Sequence, residues 1–238
     1  MTGMLVNRVA LITGGTGALG RAVVKRFLDD GAQVHVSWVV AGEVDELKPA
    51  LGADAGRVRL HQADVSDAPA VQRLMADVAG AGGRLHILAN LVGGFAYASL
   101  DNTDPATWQK MLAMNATTAF LCCKYAVPYL RAAGFGRIVN VAAAPALGRG
   151  AASMSAYSAS KSAVLNLTYS LSQELVRDGI TVNAIVPSTI DTPANRASMP
   201  QADLSTWLAP ADIARIVAFL ASEAAGIVTG TALNLSRG

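Results

Sequence analysis

The sequence predicts an α/β protein with a doubly wound, mostly parallel sheet and helices on both of its faces. Short apolar strand patterns alternate along the chain with helical patterns, which is the order that a parallel sheet requires. Apolar residues make up 52% of the chain and charged residues 15%, a balance typical of a sheet that is buried on both faces. The chain has 238 residues, and we expect residues 1–238 to form a single domain.

Composition excludes several classes of function. The formal net charge of +2 argues against a nucleic-acid partner. No apolar run reaches the roughly 18 residues that a membrane helix needs, and no signal peptide precedes the first strand pattern. Cys122 and Cys123 are adjacent in a helical pattern, which suits a reducing cytoplasm better than a disulfide. No His/Cys/Asp spacing suggests a metal, so we expect no metal site. Together with the preceding observations, we expect a cytoplasmic protein that acts on a small-molecule substrate.

The first strand pattern, residues 8–12, leads through a glycine-rich loop into a helical pattern at residues 21–30. Gly15, Gly17 and Gly20 satisfy G-x-G-x-x-G in this strand–loop–helix context. Such glycines let a pyrophosphate approach backbone N–H groups at the helix N-terminus. An ordinary glycine-rich turn is the alternative, but the complete context favours a dinucleotide site. We assign to it Gly14, Gly15, Thr16, Gly17, Ala18, Leu19 and Gly20.

A second strand pattern covers residues 33–40. Dinucleotide folds often carry an acid at the end of this strand for the ribose 2′-hydroxyl of NAD, or an arginine nearby for the 2′-phosphate of NADP. Trp38 occupies that place, so the choice between NAD and NADP stays open. Trp38 either covers the adenine or is a partly exposed aromatic plug.

A helical pattern at residues 43–51 and a third strand pattern at residues 57–61 lead to Asp64 and Val65. Asp64 either meets the adenine edge or caps the turn, and we assign both residues to the cofactor site. A helix-start signal follows at residues 66–69, and the helix extends to about residue 79. His35 and His61 lie on strand patterns, where packing is a more common role than ligation.

The fourth strand pattern, residues 85–91, ends in asparagine and glycines. Glycines at the carboxyl end of a strand let a ligand approach the backbone, and ligands of open α/β sheets bind at this edge. We assign Asn90 and Gly93 to the cofactor site. A long helical pattern then covers residues 105–131, and Asn115 lies in its apolar stretch, where an amide needs a partner or a functional reason.

A fifth strand pattern, residues 136–141, precedes a Tyr-x-x-x-Lys pair formed by Tyr157 and Lys161. Residues four apart share one helix face, so both side chains can enter one cleft. A nearby cation lowers the pKa of a phenol, which makes the pair a candidate acid/base and its tuner, although a helix surface can carry both by chance. Ser153 or Ser155 can cap this helix, which extends to about residue 177.

The rest of the chain predicts a sixth strand at residues 179–186, a helix at residues 210–221 and a short last strand at residues 231–235. Between them, residues 188–208 form an irregular segment that we expect to be a substrate lid. Its alternative is a purely structural segment.

Together these features resemble the short-chain dehydrogenase/reductase family over essentially the whole chain. The resemblance rests on residues 13–20, Asp64, residues 90–93, Asn115, Tyr157, Lys161 and residues 187–192. It implies a Rossmann-type sheet of seven strands and hydride transfer with NAD(P)H. It also implies a homodimer or homotetramer packed through the helices at residues 105–131 and 155–177.

The same resemblance implies roles for individual side chains. Tyr157 would be the proton donor, and Lys161 would hold the nicotinamide ribose and lower the pKa of the phenol. Asn115 would hold a water molecule in a proton relay. Ile190 and Thr192 would contact the carboxamide of the cofactor, and Pro187 would belong to the same cofactor site.

Three positions depart from the family pattern. Ala18 stands where a middle glycine is common, although Gly17 gives an alternative spacing, and Leu91 replaces a second asparagine. The usual catalytic serine would fall at Ala143 or Ala144, and both are alanine. Losing a hydrogen-bond donor to the substrate carbonyl can cost about 3 kcal/mol of transition-state stabilisation.

One branch of the family, dihydropteridine reductase, resembles this chain in lacking the serine while keeping the Tyr/Lys pair. Residues 191–207 and the glycines at 93–94 resemble that branch as well. A quinonoid dihydropterin is a strong hydride acceptor, so a proton from Tyr157 could suffice. The substrate pocket would include Gly94, Phe95, Ala143, Ala144, Asn195 and Trp207.

Three hypotheses therefore stand. The first is a dihydropteridine-reductase-like enzyme. The second is a general ketone or 3-oxoacyl reductase in which Ser153 or Ser155 replaces the missing donor. The third is a catalytically weak protein that binds the cofactor and acts by interaction, against which the intact Tyr157, Lys161 and Asn115 argue.

Overall fold

The computed structural model describes residues 3–80, 84–148 and 150–237. Within them, seven parallel strands form one sheet in the order β3-β2-β1-β4-β5-β6-β7. The strands are β1 (Val9–Thr13), β2 (Gln33–Trp38), β3 (Val58–Gln62), β4 (Ile87–Asn90), β5 (Gly136–Val141), β6 (Ile180–Pro187) and β7 (Ala232–Leu235). The order reverses between β1 and β4, so the sheet is doubly wound as the sequence predicts, and every strand end lies within about two residues of its predicted place.

Helices cover both faces of the sheet because alternate strand residues point to opposite sides. Ile12 of β1 packs with Phe27 and Val217 on one face, whereas its neighbour Leu11 packs with Met75 on the other. The helices are α1 (Ala18–Asp29), α2 (Ala41–Leu51), α3 (Ala68–Ala79), α4 (Pro105–Met111), α5 (Thr118–Ala133), α6 (Ser155–Leu175), α7 (Pro193–Ser198) and α8 (Pro210–Ala221). Both apolar layers are continuous, which explains the high apolar content and low charge of the chain.

The predicted long helix at residues 105–131 is interrupted. A π-helical turn, Leu112–Thr117, separates α4 from α5, and α5 ends at Gly134 with a φ of 64°. Such turns add a residue to the helix and often mark functional sites. Hydrophobic periodicity does not reveal one, because the apolar face continues on both sides of the turn.

The start of α6 also differs from expectation. Met154 is the N-cap and makes no side-chain capping bond, so the prediction that Ser153 or Ser155 caps the helix is wrong. Ser153 has a φ of 60°, and its carbonyl accepts a hydrogen bond from the backbone N–H of Ala98. This bond ties the approach to α6 to the loop after β4.

Cys122 and Cys123 are both buried and free. Among the described residues, no helix is long and apolar enough to cross a membrane. The helices expected to mediate self-association expose Trp108, Phe120 and Tyr169. A dimer or tetramer through this face stays a prediction.

Candidate active site at the carboxyl edge of the sheet

The glycine-rich loop between β1 and α1 is tightly packed on one side and open on the other. Gly14 has a φ of 66°, and a Cβ on Gly20 would lie 2.1 Å from the carbonyl oxygen of Gly14. These two positions therefore require glycine for the fold itself. At Gly17 the nearest atom to an added Cβ would be 3.5 Å away, so packing leaves this part of the backbone accessible.

A cavity of about 370 Å³ opens beside this loop. Its walls combine the glycine loop and the first turn of α1 with one residue after β4, two acids of α2 and the start of α7. The lining residues are Gly14, Gly17, Ala18, Leu19, Gly20, Arg21, Glu43, Glu46, Leu91, Thr192, Pro193 and Ala194. An open glycine backbone at a helix N-terminus fits the pyrophosphate of a dinucleotide.

Tyr157 and Lys161 lie on the first turns of α6, as predicted. The Phe95 ring meets the Tyr157 ring edge-on, with 4.9 Å between the ring centroids. Lys161 is buried, and its Nζ donates to the carbonyl of Val141 at the end of β5, at 2.8 Å. The lysine therefore anchors α6 to the edge of the sheet.

The pKa of Tyr157 moves in the direction opposite to the sequence expectation. Burial raises the pKa of Tyr157 to about 12, and burial lowers the pKa of Lys161 to about 8. Removal from water disfavours the charged form of each group. The phenol therefore stays protonated at ordinary pH, which is the form a proton donor needs.

Asn115 joins the loop after β4 to α6. Its Nδ2 donates to the Gly94 carbonyl at 3.1 Å and to Ser160 Oγ at 3.0 Å, and its Oδ1 accepts from the Gly94 N–H at 3.0 Å. A Cβ on Gly93 would lie 2.7 Å from Asn115 Oδ1 and 3.0 Å from Lys161 Nζ. The π-helical turn thus brings Asn115, Gly93 and Lys161 together, whereas the predicted water relay stays a prediction.

The two alanines at the expected serine position differ in their surroundings. Ala143 is buried, yet it belongs to none of the apolar clusters that include its neighbour Ala142. Ala144 is exposed and begins a short 3₁₀ turn, Ala144–Ala146. Neither supplies a side-chain hydrogen-bond donor.

A model of the short chain dehydrogenase family matches residues 8–203. The chain belongs to this family. It is therefore an NAD(P)-dependent oxidoreductase, whereas the catalytic roles of Tyr157 and Lys161 stay a prediction.

Proteins of known name resemble this short-chain dehydrogenase along its whole length. It is 36% identical to cis-4-hydroxycyclohexanecarboxylate dehydrogenase from Sinomonas cyclohexanicum, over 98% of this chain and 96% of that protein. It is 34% identical to 2,5-dichloro-2,5-cyclohexadiene-1,4-diol dehydrogenase from Sphingobium indicum, over 100% of this chain and 98% of that protein. The crystal structure of levodione reductase superposes with a TM-score of 0.89 at 28% identity, covering 98% of this chain and 97% of that one.

Two predicted cofactor residues of this short-chain dehydrogenase make protein contacts. Asn90 Nδ2 donates to Asn140 Oδ1 at 2.9 Å, and Asn90 Oδ1 is buried without a protein partner among the described residues. Asp64 accepts from both the backbone N–H and the hydroxyl of Ser66, so it stabilises a turn, while Val65 is buried. Contact of these residues with the cofactor stays a prediction, as does coverage of the adenine by the half-buried Trp38.

The segment predicted as a lid, residues 188–208, is held at both ends by backbone pairing. Ile190 forms an isolated parallel bridge with Leu208. Asn195 Nδ2 donates to the carbonyl of Ile190 at 2.8 Å, and Trp207 is buried. A place for Asn195 and Trp207 in the substrate pocket stays a prediction, as does the lid. Thr192 lines the cavity while it caps α7, and Pro187 ends β6.

Sequence reasoning missed the charged groups of the cavity, namely Arg21, Glu43 and Glu46. Thr16 Oγ1 donates to Glu43 Oε2 at 2.6 Å, and Arg21 pairs with Glu46 at 2.8 Å. The available signal was the acid in the first turn of the helix that follows β2. Within the described part of the chain, no group of three or more His, Cys, Asp and Glu side chains could hold a metal ion.

Proposed function

We propose that the protein transfers a hydride from a nicotinamide cofactor to a small, electron-poor ring compound, such as a quinonoid dihydropterin, with Tyr157 as the proton donor. The observation that carries this proposal is an assembled group of Tyr157, Lys161 and Asn115 in a chain that has alanine at both expected serine positions, Ala143 and Ala144. A ketone needs a donor that stabilises the developing oxyanion, and its absence costs about 3 kcal/mol. An acceptor that is already electron-poor needs less polarisation.

The chain's own residues would hold the cofactor along the cavity. The glycine loop and the N-terminus of α1 suit the pyrophosphate, and Thr192 and Ile190 suit the carboxamide. Lys161 suits the nicotinamide ribose, and the backbone of Gly93 lies close to its Nζ. The bound cofactor supplies the hydride, and the protein supplies position and a proton.

Tyr157 is suited to donation in the direction of reduction. Because burial raises the pKa of Tyr157 to about 12, its Oη carries a proton across the ordinary pH range. Oxidation of an alcohol requires the phenolate as the base, so we expect oxidation to accelerate as pH rises. The Phe95 ring, edge-on to Tyr157, offers an apolar surface to a flat substrate.

A second candidate function is interconversion of a ring alcohol and its ketone. The observation that favours it is the chemistry named in two relatives, a hydroxycyclohexanecarboxylate dehydrogenase and a cyclohexadienediol dehydrogenase. This function would need a substitute for the missing serine, and Ser153 or Ser155 is the candidate. Both line a shallow depression with Thr103 and Thr107.

The test follows oxidation of NADH and NADPH with a quinonoid dihydropterin and, in parallel, with cyclohexanone-type ketones. We expect turnover of the pterin above the chemical background. Tyr157→Phe should lower kcat/KM by a factor of about 10² to 10⁴, because it removes a positioned proton donor. Tyr169→Phe, an exposed position on the same helix, is the matched control.

Each other outcome decides between the candidates. Ketone turnover without pterin turnover would favour the second function, and a Ser153→Ala/Ser155→Ala double variant would then identify the substitute donor. Pterin turnover that survives Tyr157→Phe would show that the donor is misassigned. Cofactor binding without turnover of either substrate class would contradict both functions and favour a protein that acts by interaction.

A further inference from the structure

The cofactor cavity carries an acidic side chain at a place where the strand pattern offers none. Trp38 ends β2 and has no charge, but Glu43, in the first turn of α2, lines the cavity together with the glycine loop. Glu43 and the loop are thus parts of one wall, although Glu43 comes 23 positions after Gly20 in the chain.

Glu43 is held in a defined position. The hydroxyl of Thr16, a residue of the glycine loop that is only 1% exposed, donates to Glu43 Oε2 at 2.6 Å. A hydrogen bond to a carboxylate is stronger than one between neutral groups, so it orients the side chain effectively. The N-terminal end of α2 also favours a negative charge in its first turn.

The basic residue of the cavity wall is already engaged. Arg21 donates to Glu46 at 2.8 Å and to the carbonyl of Thr16 at 2.8 Å. Among the described lining residues there is no other lysine or arginine. Two carboxylates and one paired guanidinium leave this end of the cavity with a net negative charge, which suits a hydroxyl and disfavours a phosphate.

We infer that Glu43 determines the choice of cofactor: its carboxylate accepts a hydrogen bond from the ribose 2′-hydroxyl of NAD(H) and repels the 2′-phosphate of NADP(H). This inference rests on the proposed function in that the cavity binds a nicotinamide dinucleotide. The acid comes from the helix after β2 instead of from the end of the strand, and Thr16 couples its position to the loop that holds the pyrophosphate.

Titration calorimetry with NAD⁺ and with NADP⁺ tests the inference without any turnover. Wild-type protein should bind NAD⁺ at least about tenfold more tightly than NADP⁺. The repulsion energy of two like charges a few ångström apart near a protein surface exceeds the free-energy difference that a tenfold ratio of dissociation constants requires. Glu43→Gln should reduce the ratio of the two dissociation constants to about threefold or less by removing the charge. Thr16→Val keeps the charge but frees the side chain, and the ratio should fall between these values.

Asp45→Asn is the matched control. It removes the same charge from the same helix at an exposed position outside the cavity wall, so the ratio should stay at the wild-type value. If Glu43 only braced the loop, Glu43→Gln would weaken both cofactors equally and leave the ratio unchanged, which would overturn the inference. Tighter binding of NADP⁺ by the wild-type protein would overturn it too. Failure to bind either dinucleotide would instead contradict the proposed function.

Discussion

Two groups of residues around the Tyr157/Lys161 pair differ in polarity. In the first, the polar or Asn115 side, the amide of Asn115 and the ammonium of Lys161 bind protein partners, namely the Gly94 backbone, Ser160 Oγ and the Val141 carbonyl. In the second, the apolar or alanine side, the side chains of the buried Ala143 and of Phe95, which meets the Tyr157 ring edge-on, carry no polar atom. The protein therefore holds Asn115 and Lys161 with its own hydrogen bonds, whereas under the proposed function the alanine side leaves activation of the acceptor to the substrate.

This difference separates two kinds of constraint on sequence change. A substitution on the Asn115 side disturbs a closed set of hydrogen bonds, and partners left buried without a bond are costly. A polar substitution on the alanine side adds a group where none is satisfied now. Mutations on the two sides should therefore have opposite effects. Substitutions on the Asn115 side should lower stability or activity, and a polar substitution on the alanine side should raise activity.

The largest effect concerns the charge of Lys161 on the polar side. Burial lowers the pKa of Lys161 from 10.5 to about 8, so between these values the unfolded chain holds a proton that the folded chain has released. The free energy of unfolding should therefore rise with pH across this window, by about 3 kcal/mol in total. Lys161→Met should lack this rise, because methionine does not titrate.

Urea unfolding at pH 7.5, 9 and 10.5 measures the effect as the difference between wild type and Lys161→Met. Titration of all other groups cancels in this difference. If the difference in the free energy of unfolding stays constant with pH, the Lys161 ammonium is well solvated. That result would contradict the contrast drawn between the polar side and the apolar side.

The next effect uses the adjacent glycines, Gly93 and Gly94. A methyl group from Gly93→Ala would lie 2.7 Å from Asn115 Oδ1 and 3.0 Å from Lys161 Nζ, both of which are fixed by hydrogen bonds. From Gly94→Ala it would meet the flexible end of Met114 at 2.9 Å. Overpacking of a fixed group costs about 2 kcal/mol of folding stability, so Gly93→Ala should lower the free energy of unfolding by about that amount, and Gly94→Ala by clearly less. Urea unfolding of both variants measures this, and equal losses would mean that the polar side is adaptable.

Features that depend on neighbouring residues could be predicted from the sequence. The glycine loop is an example, because one turn between a strand and a helix requires Gly14 and Gly20. Gly14 has a positive φ, and there is no space for a Cβ at Gly20. The Tyr157/Lys161 spacing is another, since a helix brings residues four apart together wherever it lies. The parallel, doubly wound sheet followed from the alternation of strands and helices, and its seven strands followed from the family resemblance.

Features that depend on distant residues could not be predicted. The π-helical turn positions Asn115 against Gly94, which is 21 positions earlier in the chain. The pattern of apolar residues does not predict that contact. The bond from Thr16 to Glu43 likewise joins a loop to a helix that pack only in the fold. The direction of the Tyr157 pKa shift failed for the same reason, because spacing reveals a neighbouring charge but not the depth of burial.

The smallest effect tests the apolar side directly. Ala143→Ser places a hydroxyl at a buried position beside the cleft, and Ala144→Ser places one at an exposed position one residue later. A newly introduced hydroxyl is not preorganised as an evolved oxyanion donor is, so it should recover only about 1 kcal/mol of the lost stabilisation. Ala143→Ser should therefore raise kcat/KM for ketones by roughly fivefold and leave pterin reduction nearly unchanged. Ala144→Ser should change neither rate, because its hydroxyl stays in water. Equal rates for Ala143→Ser and wild type on ketones would mean that the missing serine does not explain the substrate preference, and the donor would then have to be sought at Ser153 or Ser155.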